Sequence, residues 1–368
     1  MVVPEAGRIV AAVLGGVLVA GGWASVVSTL IVPRALGGVL TRAVDRVVLT
    51  AYRLAIRGIA DYRQRDRVLA TQAAAILLTQ LVLWMLIVFL GFTLLLWPSD
   101  PAGIRSAFLE SGSSIFTLGY TEPSGAGPAV LVFLAAASGL VIVALQIGYL
   151  PTLYSAFNRR ETEVSLLNAR SGVPSWGPEL LARTHYALGS GTSTLDTLPE
   201  LYRTWERWAA DVTESHTTYL PLVRFRSPRP MSSWVTALLA VLDSAALYLA
   251  LSPSAAPTVP ARLCLRGGFT CLTRVAQAMG CDVPDVPDPA DGISITYEEF
   301  LDGVDRMLKV GFKTERTPAE AWPDFAGWRV NYERAAYSIA ASIDAVPALW
   351  SGPRHPPTDP IAPTRPPL

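Results

Sequence analysis

Three long apolar runs, separated by stretches that hold most of the charge, are the main pattern along this chain. They cover residues 9–32, 68–97 and 129–157, and none of them contains Asp, Glu, Lys or Arg. About 20 apolar residues are enough for a helix to cross the hydrocarbon core of a bilayer. The pattern therefore predicts an all-α membrane protein with three spans. A cleaved signal peptide is the alternative for the first run, which is longer than a typical signal core.

The distribution of charge predicts which side of the membrane each loop occupies. Residues 34–67 carry eight arginines against three aspartates, which places this linker in the cytoplasm by the positive-inside rule. The loop between the second and third runs is poor in positive charge and is expected outside. We therefore expect a multi-pass plasma-membrane protein whose N-terminal span (1–33) begins outside and whose C-terminal domain is cytoplasmic.

The cytoplasmic linker (34–67) has the spacing of an amphipathic helix. Its arginines 42, 46, 53 and 57 recur at steps of four and seven, so on a helix they form one basic stripe. The opposite face holds aliphatic residues, namely Leu40, Val44, Val47, Val48, Ala51 and Ile59. Such a helix can lie on the anionic inner leaflet, or it can pack against the protein's own domain.

Residues 158–350 are more polar and predict a helical cytoplasmic domain. Seven tryptophans are available for its core: Trp176, Trp205, Trp208, Trp234, Trp322, Trp328 and Trp350. Thr296 and Glu299 have capping-box spacing before an amphipathic helix. Residues 234–251 are apolar enough for a fourth span, but Asp243 in the middle costs about 2.5–3.5 kcal/mol on insertion, which favours a buried soluble helix. Residues 351–368 are rich in proline and are expected to be a disordered tail.

One short motif in the external loop carries candidate chemistry. The sequence Thr117-Leu118-Gly119-Tyr120 resembles the selectivity-filter signature of potassium channels, and it lies between two spans as in that family. The resemblance covers residues 68–157, a span, pore loop and span unit of the prokaryotic type. It implies a homotetramer, because one pore loop per chain requires four chains to close a ring. It also implies passive conduction of K⁺, held by backbone carbonyls of the four motif residues.

The resemblance also assigns roles to residues beside this motif. The Thr117 hydroxyl would add the innermost ligands, and the Leu118 and Tyr120 side chains would pack outward. Asp100 is a good N-cap and Pro101 suits a first helical position, so a pore helix is expected to begin there. In its last turn, the hydroxyls of Ser113 and Ser114 are expected to tie the helix to the filter backbone.

The chain departs from the family after the tyrosine. Thr121 and Glu122 stand where the family has glycine and usually aspartate, and Phe116 replaces a small or hydroxyl residue. A β-branched Thr121 would be strained by about 1–2 kcal/mol in a left-handed conformation. Pore architecture is therefore a firmer expectation than potassium selectivity. A weakly selective cation channel is the alternative interpretation.

The third run contains candidate gating and cavity residues. Gly139, Gly148 and Pro151 are possible bending points, and Pro151 is expected to kink or end the helix. Glycines serve equally well as close-packing sites between membrane helices. Gln146 is strongly polar and is expected to face the cavity or a neighbouring subunit.

No other motif indicates catalysis or a cofactor. The acidic residues at 288–291 fit a calcium loop poorly because prolines fall at ligand positions. Cys264, Cys271 and Cys281 lack the paired spacing of a metal site, and no basic nucleic-acid footprint is present. We expect no enzyme activity, with lipid and other copies of this chain as partners and an unknown cytoplasmic regulator. The alternative function is a non-conducting, membrane-anchored scaffold with a degenerate pore motif.

Overall fold

The computed structural model describes residues 5–32, 38–123, 125–184 and 194–354, and this part of the chain is all-helical. Its α-helices are α1 (Glu5–Leu30), α2 (Val39–Ile56), α3 (Tyr62–Leu69), α4 (Gln72–Leu96), α5 (Ile104–Ile115), α6 (Ala126–Ser171), α7 (Gly177–Arg183), α8 (Leu198–Thr218), α9 (Trp234–Leu251), α10 (Thr258–Ala278), α11 (Tyr297–Leu308), α12 (Pro318–Arg329) and α13 (Glu333–Ser342).

The chain divides into two compact units. The first unit contains residues 1–57 and 71–154, and the second contains residues 58–70 and 155–368. The linker predicted at 34–67 is therefore divided between the two units, since α2 belongs to the first unit and α3 to the second. Helix α6 also contributes to both, because its residues from Ser155 onward belong to the second unit. The Pro-rich tail predicted from 351 lies outside the described residues from 355 onward.

In the first unit, the N-terminal helix packs against the two later apolar helices through small and polar side chains. The Trp84 indole on α4 donates to the Ser25 hydroxyl on α1 over 3.0 Å, and the Trp23 indole on α1 donates to Ser138 on α6 over 3.1 Å. Gly15 and Gly91 face each other so closely that a Cβ atom on Gly15 would lie 2.6 Å from the Gly91 carbonyl oxygen. Such small-residue contacts are typical of helix packing in membranes.

Helix α2 confirms the amphipathic pattern of the linker. Val44 and Val48 are buried in a small cluster with Ile76 of α4, whereas Val47 is 67% exposed. Part of the apolar face of α2 is therefore covered by the protein itself. The exposed remainder is free to contact lipid.

The second unit is built around α9, all of whose residues are buried. Trp205, Trp208 and Trp234 are buried in the same core, together with Trp176 and Trp350, while Trp322 and Trp328 are half-buried against it. The tryptophans predicted for this core therefore do pack there. Thr296 and Glu299 form the predicted capping box at the start of α11, which buries Phe300, Val304 and Met307 and leaves Leu308 43% exposed.

Four helical segments of the described chain are long and apolar enough to cross a membrane. Three of them, containing α1, α4 and α6, have only 28–39% of their most apolar stretch buried by the protein. In α9 that share is 94%, so its apolar surface is already covered by protein. The chain is thus an all-helical protein with several apolar helices, as expected of a membrane protein, and α9 has the burial of a core helix.

The charge at the centre of α9 is fully paired. Asp243 accepts hydrogen bonds from the Arg329 guanidinium and, over 2.9 Å, from the Tyr332 hydroxyl. Arg329 also donates to Glu333 over 2.6 Å and to the Trp350 carbonyl over 2.5 Å, and it is fully buried. A buried carboxylate is tolerated only with partners of this kind.

Candidate pore segment

Helix α5 is held between the two neighbouring apolar helices rather than extending away from them. The Ser111 hydroxyl donates to the Phe89 carbonyl of α4 over 3.0 Å, and the rings of Phe89 and Phe108 make an edge contact at 4.7 Å. At its other end, α5 lies against Gly139 of α6. Gly139 is thirteen residues into α6, which is about 20 Å along a helix. The end of α5 therefore reaches well into the length of the spans.

The start of α5 differs from the prediction. The helix begins at Ile104 with Gly103 as N-cap, not at Asp100 and Pro101. Asp100 instead closes a turn, since its carboxylate accepts from the Ala102 amide over 2.8 Å and its carbonyl accepts from the Gly103 amide over 3.2 Å. Gly103 has a φ of +88°, a conformation open mainly to glycine, which lets the chain turn before the helix starts.

The motif residues follow α5 directly, and their amides all bond back to its last turn. Ser114 accepts from the Thr117 amide over 3.0 Å. The Ser113 carbonyl accepts from the Leu118 amide over 2.8 Å and from the Gly119 amide over 3.4 Å, and the Ser113 hydroxyl accepts from the Tyr120 amide over 3.0 Å. The two serines therefore anchor four successive amides.

The two serines do not act in the same way. The Ser113 hydroxyl bonds to the backbone of the motif, at the Tyr120 amide, whereas the Ser114 hydroxyl donates to the Glu110 carbonyl within the helix over 2.7 Å. Ser114 contributes to the motif only through its main-chain carbonyl. That Ser113 would also use its main-chain carbonyl was not evident from the sequence.

The carbonyl oxygens of the motif contrast with its amides. Within the part of the chain that the structure describes, the carbonyls of residues 117–120 accept no hydrogen bond. Main-chain carbonyls away from bulk water require a donor, water or a cation as partner. A segment whose donors are all used internally and whose acceptors are all free is suited to binding a cation.

Positive and negative φ angles alternate along the backbone of the motif. Thr117 has a φ of +55° and Gly119 a φ of +69°, so two of these residues are left-handed. Glycine adopts this conformation without strain, but a β-branched threonine does not. Thr121 has no positive φ, so the backbone strain expected there is absent. The strained threonine is Thr117 instead, because its φ is positive.

The side chains of Leu118 and Tyr120 face an apolar groove. Leu118 and Tyr120 are 64% and 57% exposed, and with Phe116, Met85 and Phe108 they line a cavity of about 580 Å³. The Tyr120 hydroxyl donates to the Leu109 carbonyl of α5 over 3.2 Å. This bond fixes the aromatic ring on the same helix that holds the motif amides.

The predicted gating and cavity residues fall in different environments along α6. Gly139 is packed against the end of α5, whereas a Cβ atom added to Gly148 would meet open space. Pro151 does not end the helix, which continues for twenty residues to Ser171. Gln146 is 6% exposed within the chain, and its Oε1 atom lacks a hydrogen-bond partner. Its predicted place in a cavity stays a prediction.

The acidic segment at 288–291 and the cysteines are the remaining candidate sites. Asp288 caps the short turn Pro289–Asp291 by accepting from the Ala290 amide over 2.9 Å. Cys264 and Cys271 are buried, and burial raises the pKa of the Cys271 thiol to about 12. Among the described residues, no cluster of His, Cys, Asp and Glu could hold a metal ion.

Comparison of the chain with protein-family models, curated proteins and solved structures found no match. The candidate site therefore rests on the sequence motif and on its geometry.

Proposed function

We propose that this chain is one subunit of a tetrameric, potassium-conducting pore in the plasma membrane. Four copies of residues 117–120 would surround a common axis and replace the water around a passing K⁺ ion with carbonyl oxygens. The observation that carries the proposal is the hydrogen bonding of this segment: its four amides bond to Ser113 and Ser114, and its four carbonyls accept no hydrogen bond from any described residue.

The position of α5 supports the same proposal. Non-helical backbone at membrane depth is tolerated where it is buried in protein or lines a watery path. The C-terminal end of α5 also carries a partial negative charge, which favours a cation nearby. The topology that accompanies this proposal has the N-terminus outside, spans formed by α1, α4 and α6, and the second unit in the cytoplasm.

The departures from the potassium-channel signature bear mainly on selectivity. Thr121 is not left-handed, so the absence of glycine there leaves no strain at that position. Phe116 packs its ring 6.2 Å from that of Phe89, which explains how the unit accommodates a large residue there. We therefore propose a conducting pore and use the ratio of K⁺ to Na⁺ flux to test its selectivity.

The test is ion flux through the purified protein in liposomes. We expect K⁺ flux that barium blocks and that exceeds Na⁺ flux. Gly119→Ala should reduce K⁺ flux at least tenfold, because alanine disfavours the φ of +69° that Gly119 adopts. The added Cβ atom meets no neighbouring atom, so the substitution acts on the backbone conformation alone. Gly127→Ala is the matched control, since Gly127 is helical, has open space around it and should tolerate alanine.

Absence of flux from well-folded tetramers would contradict the channel proposal. It would favour the alternative, a membrane-anchored scaffold whose pore segment does not conduct. Equal flux in Gly119→Ala and wild type would contradict the role of this backbone segment even if the protein conducts.

A further inference from the structure

Two arginine sites in the second unit, one fully buried at Arg160 and one partly buried at Arg226, meet at one short stretch of chain, residues 222–226. Arg160 donates to the carbonyls of Leu222 and Phe225 over 2.8 and 2.7 Å. The next residue, Arg226, donates to Asp66 and, over 2.6 Å, to the Tyr62 hydroxyl. We call residues 222–226 the clamp segment.

Arg160 attaches the clamp segment to the cytoplasmic extension of α6. Its side chain is fully buried, and it also contacts Glu161 over 2.9 Å and the His216 Nε2 atom over 3.0 Å. The rings of Phe157 and Phe225 lie 5.5 Å apart beside it. A planar guanidinium can bond two carbonyls at once in a fixed geometry, which a lysine ammonium cannot reproduce.

Arg226 attaches the same segment to α3. Besides Asp66 and Tyr62, it donates to the carbonyls of Ile343 and Asp344 over 2.8 and 3.0 Å. A second ion pair, between Arg65 and Asp344 at 2.8 Å, holds α3 on the same surface. The eight-residue α3 is therefore held on the second unit by these charged hydrogen bonds together with the packing of Tyr62 against Met231 and Val346.

Both attached helices lead directly into the first unit. Helix α3 is separated from α4 by Ala70 and Thr71, and the extension of α6 is continuous with residues 126–154. In the proposed channel, α4 is the span that precedes the pore helix α5, and α6 is the span that follows the motif. The clamp segment is thus bonded to the chain next to both of them.

We propose that the clamp segment is a coupling element, which makes α3 and the extension of α6 move together. Displacing the segment requires either that both helices follow or that charged hydrogen bonds at buried and partly buried positions break, and the latter is costly. Through this element, the state of the cytoplasmic unit sets the opening of the pore. This last step rests on the proposed function, whereas the coupling itself does not.

Amide hydrogen exchange of the full-length protein in detergent tests the coupling without any need for conduction. Arg226→Lys should speed exchange of the α3 amides, residues 62–69, at least tenfold. Arg160→Lys should speed exchange in α3 as well, although Arg160 makes no bond to α3, because the clamp segment is shared. Arg203→Lys is the control, since Arg203 forms a half-exposed pair with Glu200 at 3.7 Å and should change neither helix.

Exchange in α3 that stays at the wild-type rate in Arg160→Lys would overturn the coupling, because the two arginine sites would then be independent. If a lysine variant does not fold, Asp66→Ala removes the acceptor of the Arg226 bond at a partly exposed position and should also speed α3 exchange tenfold. An unchanged rate in this variant would equally overturn the proposal.

Flux measurements test the gating step separately. In liposomes, Arg226→Lys should change K⁺ flux at least threefold while the ratio of K⁺ to Na⁺ flux stays the same. Unchanged flux in a conducting protein would overturn the gating role. Absence of flux from the wild type would instead remove the proposed function, and the exchange rates of α3 would still decide the coupling.

Discussion

The carbonyl oxygen of Ile115, the last residue of α5, lies 2.2 Å from where a Cβ atom on Gly139 of α6 would be. The obstacle is main chain, so it cannot rotate away as a side chain could. This contact supports the packing interpretation of Gly139. The interpretation of Gly148 as a bending point stays a prediction, since nothing lies within 4 Å of a Cβ atom there.

Alanine substitutions at these two glycines should therefore differ. Gly139→Ala should destabilise the first unit by about 1–3 kcal/mol, because α5 and α6 must separate to admit the methyl group. Gly148→Ala should leave stability unchanged or raise it, since alanine favours a helix by up to about 1 kcal/mol. Thermal unfolding in detergent measures both, and equal melting temperatures would contradict the close contact.

The two serines at the end of α5 provide a second matched pair. Ser113→Ala removes the acceptor of the Tyr120 amide and should lower the ratio of K⁺ to Na⁺ flux, by an amount set by a bond of about 0.5–1.5 kcal/mol in each subunit. Ser114→Ala removes a bond internal to the helix and should leave that ratio unchanged. Reversal potentials of reconstituted protein check this, and identical behaviour of the two variants would argue against the assignment.

The buried ion pair in α9 should be important for the stability of the second unit. Arg329→Met leaves Asp243 and Glu333 without their cationic partner and should cost about 3–5 kcal/mol. Arg334→Met breaks an exposed pair with Asp282 at 3.5 Å and should cost about 0–1 kcal/mol. Denaturant unfolding followed by tryptophan fluorescence compares them, and a small effect at Arg329 would show that the cluster is dispensable.

His216 predicts a pH dependence of stability. Arg160 can only donate, so the His216 Nε2 atom accepts and the proton resides on Nδ1, which faces the Ser215 hydroxyl at 3.0 Å. Burial and the neighbouring Arg160 lower the pKa of His216 well below its ordinary value of 6.5. The unfolded chain then binds a proton at higher pH than the folded chain does. The contribution of neutral His216 to the free energy of unfolding is therefore fully present above about pH 6.5 and decreases as the pH falls below that value.

Thermal unfolding at pH 8.0 and pH 5.5 measures this effect. His216→Gln keeps an acceptor for Arg160 but cannot titrate, so its melting temperature should fall less on acidification than that of the wild type. The groups around the ring, Glu161 and Arg160 among them, are the same in both proteins and cancel in the comparison. Parallel pH profiles would exclude His216 as the cause.

Helix α9 should not cross the membrane. Arg229 and Ser254 lie just before and just after it and are both exposed. If α9 is a core helix, Arg229→Cys and Ser254→Cys should react with an impermeant maleimide from the same side of sealed vesicles, above the background of the half-buried Cys281. Labelling from opposite sides would make α9 a fourth span.

The local features of this protein could be predicted from the sequence. The apolar runs predicted α1, α4 and α6, and the spacing of Thr296 and Glu299 predicted the capped start of α11. These features depend on residues three or four positions apart, or on uninterrupted hydrophobicity, and both can be evaluated along the chain. The burial of Asp243 was also expected from its position in an apolar segment.

Other features depend on residues far apart in sequence, and only the tertiary structure decided them. Helix α3 belongs to the second unit because Arg226, 160 positions beyond Asp66, pairs with it there. The close approach at Gly139 depends on Ile115 in another helix, and the different roles of Ser113 and Ser114 depend on how the chain turns after α5. Sequence patterns report which residues must leave water, but the partner that each one meets is set by packing.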